Sequence, residues 1–182
     1  MTEMDVAKQD LLDLSDFAYG RLRNRLDGMT TEEYLWEPVE GCWSVRPGAD
    51  GVMRADRADG PVDPAPLTTI AWRIWHIIDL LAGDRNATWI GVEPNGSFKA
   101  DDAPTNAADA VERLEWAYDR FRTHVAAVDS ATLSDPMGGI AKMFASSSRG
   151  AFVLHELDEL IHHGAEVGVL RDLYRYAPGR RL

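Results

Sequence analysis

The chain has 182 residues, 45% hydrophobic and 27% charged, with a formal net charge of −11 and one cysteine, Cys42. That length fits one domain, 1–182, with a real core, and the acidic balance without any Lys/Arg cluster excludes nucleic acid and an anionic membrane surface as expected partners. A single cysteine excludes a disulfide framework, no apolar run nears the ~18 residues of a membrane span, and the polar start MTEMDVAKQD has no signal-peptide pattern, so a cytoplasmic protein is expected.

The first helix is predicted over residues 4–27, with Leu11, Leu14, Ala18, Leu22 and Leu26 as its apolar stripe and Gly28 as its stop. Thr30 to Glu33 reads as a capped start for a short turn through Trp36. Residues 37–66 lose periodicity and carry Glu-Pro, Pro-Gly and Asp-Gly breakers. Within them, Pro47 to Pro66 is an inserted surface loop or hairpin, of the kind that often forms lids or binding loops.

A second helix is expected from Leu67 to Ile90, capped near Thr68 or Thr69, with Ile70, Ile74, Ile77 and Leu81 as its ridge. His76 sits inside this apolar run, Asp79 lies one turn on, and Trp89 ends the helix where it could border a pocket. A third helix runs from a Thr105/Asn106 cap to Val128, with Val111, Leu114, Tyr118, Phe121 and Val125 inward and His124 on the solvated side. The fourth runs from Ser147 to Leu173 and is followed by a short tail. The tryptophans are assigned mostly to the core, and Cys42 to a small buried position. Four long helices with two long connections and no convincing strand alternation define an all-α four-helix bundle.

The fourth helix holds the chemistry. His155, Glu159, His162, His163 and Glu166 recur at spacings of three and four, on neighbouring ridges. Glu159 and His163 are i and i+4, so both reach one ion, and His76 from the second helix supplies a third donor across the bundle. A lone helical histidine is ordinarily a hydrogen-bonded structural residue, but a carboxylate in an apolar helix needs a charged partner. Two imidazoles and a carboxylate suit zinc, with nickel or iron also accommodated, and leave an open position on the ion. The spacing equally permits a triad of His76, His155 and Glu159.

Trp43-Ser44-Val45-Arg46 resembles the W-S-x-R/K signature in the first long loop of DinB-like proteins, and His76 resembles that family's first metal ligand. Residues 159–166, Glu-Leu-Ile-His-His-Gly-Ala-Glu, match the family's H-x-x-H-H-x-G-Q frame with Glu159 in place of the first histidine. That replacement resembles the branch containing the metal-binding domain of mycothiol-dependent maleylpyruvate isomerases. The resemblance implies an up-down-down-up bundle, a divalent metal on His76, Glu159 and His163, and His155, His162, Glu166, Trp43 and Asp79 as neighbouring or pocket residues. It also implies a low-molecular-weight thiol co-substrate, a small electrophilic substrate and a homodimer. Those isomerases complete their substrate site with a further C-terminal domain, which a chain of this length is not expected to hold, so maleylpyruvate is not the expected substrate. A metal-dependent hydrolase and a non-catalytic metal-binding or structural dimer are the alternatives.

Overall fold

The computed structural model describes residues 2–60, 62–98 and 102–177. Part of the connection before the third long helix (99–101) and the end of the tail (178–182) lie outside the described residues. Four long helices form the body: α1 (Glu3–Arg25), α3 (Ile70–Ala82), α5 (Ala107–Ala127) and α6 (Arg149–Arg175). Between them lie the short α2 (Thr31–Tyr34) and α4 (Arg85–Ile90), the strands β1 (Val45–Pro47) and β2 (Met53–Ala55), and two 3-10 segments, Ser130–Thr132 and Gly139–Phe144.

Each long helix starts at a polar cap: Thr2, Thr69, Asn106 and Ser148 accept from the backbone N–H three residues on. The predicted isoleucine ridge of α3 is fully buried, each such side chain contributing about 1.5–3 kcal/mol relative to exposure. Contacts fix the directions. Ala18, Leu22 and Arg25 of α1 face Leu160, Gly164 and Gly168 of α6 in the same order, so those two helices run together. Ser15 and Arg23 meet Tyr118 and Glu115 in reverse order, so α5 runs against α1. His76 against His163 and Arg85 against Glu156 likewise set α3–α4 against α6.

Four expectations are corrected. The predicted helix from Leu67 to Ile90 is two helices, because the chain turns at Gly83, whose ψ of 132° is extended. The carbonyls freed there are taken up: Asn86 Nδ2 donates to Leu80 and Leu81 at 2.8 and 2.9 Å, and Arg120 Nε to Ala82 at 3.1 Å. His124, expected in solvent, is 2% exposed and its Nε2 accepts from the Asn95 N–H. Leu14 is exposed while Leu12 and Ser15 turn inward, so the stripe of α1 is rotated from the predicted one. Of the tryptophans, Trp75 is buried, whereas Trp116 is exposed and the others are half-buried.

The inserted segment forms an antiparallel hairpin pairing Val45 with Ala55 and Pro47 with Met53. Its root is tied to α3. Asp56 accepts from the Ser44 N–H and from Arg46, and its carbonyl accepts from Trp72 Nε1 at 2.9 Å. Trp43 exchanges backbone bonds with Leu67 and Thr69, and Thr69 Oγ1 donates to Ser44 Oγ at 3.0 Å. The Trp-Ser-Val-Arg stretch thereby anchors the loop to the start of α3.

Candidate metal centre

α3 and α6 bring His76, Glu159 and His163 to one place, with one potential ligand atom from each inside a common 4.8 Å cluster. Glu159 Oε2 lies 3.0 Å from His163 Nε2 and 3.7 Å from His76 Nε2. Bonds of about 2.0–2.1 Å to a tetrahedral zinc hold neighbouring donor atoms about 3.3 Å apart, so the donor set fits such an ion. Among the described residues no lysine or arginine pairs with Glu159, which leaves its carboxylate facing two imidazoles.

The two histidines are held from behind. The Trp72 ring stacks on His76 at a centroid distance of 5.1 Å, with Trp43 beyond it at 5.8 Å. Burial, then neighbouring His163 and Arg73, pushes the pKa of His76 down to about 4, against the pull of Glu159. It is therefore neutral at pH 7, the form that can ligate. His163 Nδ1 lies 2.7 Å from Glu166 Oε2. A proton placed on Nδ1 and donated to Glu166 leaves the Nε2 lone pair facing the centre.

Arg73, which sequence reasoning missed, completes this arrangement. Its Nε sits 2.9 Å from Glu166 Oε2, Nη1 lies 3.2 Å from His163 Nδ1, and its guanidinium lies over the Trp72 ring. Burial alone would raise the Glu166 carboxyl; the hydrogen bond from His163 and the charges of Arg73, His163 and His162 together hold it below the ordinary range. The only sequence signal for Arg73 was a charge three residues before His76 on an otherwise apolar ridge.

The remaining candidates take separate places. His162 is 58% exposed, with Nε2 3.3 Å from Glu166 Oε1, so His162, His163 and Glu166 form a second, outer grouping. Arg73 pairs directly with the carboxylate of that grouping, whereas among the described residues no lysine or arginine forms a salt bridge to Glu159. His155 is exposed and lines a cavity with Glu156, apart from the inner cluster, so the triad of His76, His155 and Glu159 is not assembled. Asp79 is half-buried; burial raises its carboxyl, while Arg57 and Arg85 pull it back. It supplies no atom to the centre.

A helical bundle carrying a histidine–carboxylate cluster between two facing helices is a class of metal-site scaffold. This chain belongs to the DinB superfamily, whose family model matches residues 15–167. A crystal structure of a conserved protein from Enterococcus faecalis has the same fold, with a TM-score of 0.58 over 95% of this chain and 97% of that one at 13% identity. No curated protein matches the chain significantly. Among the described residues no helix is long and apolar enough to cross a membrane.

Proposed function

We propose that the protein is a divalent-metal enzyme of the thiol S-transferase type, joining a low-molecular-weight thiol such as mycothiol to a small electrophile. His76, Glu159 and His163 would hold the ion. The observation that carries this reading is a two-imidazole, one-carboxylate set at ligand spacing whose carboxylate forms no salt bridge to a lysine or arginine among the described residues. Zinc suits the set best, and nickel or iron suits it by geometry. When bound, such an ion supplies a Lewis acid that keeps a thiol sulfur ionised near pH 7.

The chain's own groups do the rest. Glu166 fixes the tautomer and ring angle of His163. Burial keeps His76 unprotonated, and Trp72 screens it from water. His162, exposed and paired with Glu166, can carry the proton released from the thiol out to solvent. Cytoplasmic location follows from composition, and a homodimer from the resemblance.

Metal analysis of the purified protein tests the site. One equivalent of zinc is expected in the wild type and none in Glu159→Ala or His163→Ala. Full occupancy in both variants would overturn the assignment. For activity, the loaded protein is expected to consume thiol in the presence of monochlorobimane faster than the stripped protein. The outer His162–Glu166 pair also favours a second reading, a hydrolase in which it serves a water. Turnover of a nitrophenyl ester without added thiol would select that reading.

A further inference from the structure

One turn before Glu159 on α6, and three residues away, is a carboxylate the metal centre does not use. Glu156 is 0% exposed. Its Oε1 accepts from Arg85 Nη2 at 3.2 Å, and its Oε2 has no hydrogen-bond partner. A buried acceptor left unpaired costs about 1–3 kcal/mol, which marks this oxygen as one that a ligand could satisfy. Glu156 lies on the wall of a cavity of about 240 Å³ between α4, the 3-10 segment Gly139–Phe144 and the first turns of α6. At about 30 Å³ per water, that is room for roughly eight water-sized groups, the size of one small ring with a substituent.

Besides Arg85, Ser147 and the exposed His155, the rest of the wall is apolar. Trp89 packs against Phe152 and Phe144 at centroid distances of 5.1 and 6.4 Å, and Met137 completes that side. Aromatic faces with a few convergent polar groups are the usual make-up of a small-molecule pocket. The charges narrow the class. Arg85 already balances Glu156, and its guanidinium also lies 5.7 Å from the Trp89 ring centroid. A cationic ligand would face Arg85, and an anionic one would face Glu156 with Asp79 behind it. What remains is a free acceptor inside a mostly apolar slot.

We propose that this cavity binds a small neutral aromatic molecule whose hydroxyl or N–H donates to Glu156 Oε2. The break at Gly83 makes the slot, because it swings α4 and Trp89 away from the line of α3. Burial, outweighing Arg85, raises the Glu156 carboxyl to about 7; Oε1 is taken by Arg85, so Oε2 is the acceptor in the carboxylate form that prevails above that pH, where the titration is run. If the function proposed above holds, the pocket seats the body of the second reactant one helical turn from the ion; the binding itself does not depend on that reading.

The test is titration of the full-length protein with p-cresol, with toluene, benzylamine and benzoate as comparisons, followed by NMR at the Trp89 indole N–H. p-Cresol is expected to shift that resonance saturably and to bind about tenfold more tightly than toluene, the worth of one hydrogen bond. Ala151→Trp, which fills the slot from an exposed position, is expected to abolish binding. Glu156→Leu is expected to keep toluene binding and erase the preference for p-cresol. Equal binding of p-cresol and toluene to the wild type would overturn the proposal. So would tighter binding of benzylamine or benzoate, binding that survives Ala151→Trp, or no shift at Trp89. The titration is repeated on EDTA-stripped protein, where the same affinity is expected. Loss of binding on stripping would place recognition at the ion and remove the role of Glu156, whereas unchanged binding alongside a failed zinc analysis would leave the pocket standing without the metal.

Discussion

Two acidic side chains meet α6 in opposite ways. Near its C-terminal end, Arg171 forks onto buried Glu33, with Nε 2.7 Å from Oε1 and Nη2 3.0 Å from Oε2. Its Nη1 is taken by the Asp27 carbonyl at 3.1 Å and by that of Arg25. The charges cancel and the donors are used. Three turns earlier, Glu159 faces two imidazoles and, among the described residues, forms no salt bridge to a lysine or arginine. The first arrangement is closed and can only hold the fold. The second leaves a carboxylate and two imidazoles at a spacing that could hold a metal ion.

The largest expected effect separates these two. Arg171→Met strands Glu33 in the interior and is expected to lower unfolding stability by about 3–5 kcal/mol. Adding Glu33→Leu should restore most of that loss. Glu159→Ala in stripped protein should change stability by less than about 1 kcal/mol, since it removes a charge with no matching cation. Urea unfolding of the four proteins measures all of this, and a Glu159→Ala loss as large as that of Arg171→Met would erase the distinction.

Next in size is a pair of opposed pH dependences in stripped protein. Folded His76 takes up its proton at about 4 instead of 6.5. Its contribution is therefore whole above pH 6.5 and is lost as pH falls towards 4, by roughly 2–3 kcal/mol. Glu156 holds its proton up to about 7 instead of 4.5, so its contribution is whole below pH 4.5 and is lost as pH rises to 7. Between 4.5 and 6.5 the two slopes cancel. Stability of His76→Phe should accordingly fall with rising pH across that window, and that of Glu156→Gln should rise. Parallel profiles would show that neither group titrates as its burial dictates.

Glu166→Gln sharpens the contrast further. It keeps the shape behind His163 and removes the charge, and zinc affinity by competition with a chelator should fall about 10–100-fold. The smallest effect belongs to the surface. Arg25 and Asp172 pair at 2.6 Å on exposed parts of α1 and α6, and Asp172→Asn should leave the urea unfolding midpoint nearly unchanged.

The periodicity of the long helices and the spacing of Glu159 and His163 were legible in the sequence, because both depend on one helix at a time. What needed a second element was not. The break at Gly83 is settled by Asn86 and by Arg120, a residue of α5. His124 looked solvated because its neighbours in sequence are polar; its burial comes from the segment around Asn95. Arg73 gains its place only from the register of α3 on α6. Glu156 was passed over because its spacing follows the apolar ridge, where a carboxylate gives no periodic signal. Trp89 was read correctly as a pocket residue, since a large ring at the end of a helix has few other places to go.

The tie between Asp56 and Trp72 divides the hairpin into parts with different freedom to vary over evolutionary time. At its root, a change in Ser44, Arg46 or Asp56 moves the indole that lies on His76. At its tip, Asp50, Val52 and Arg54 bond mainly to one another. The tip can lengthen, shorten or change its chemistry while the ring on the histidine stays where it is. Relatives built on this plan could therefore diverge in what reaches the centre while keeping what the centre is made of.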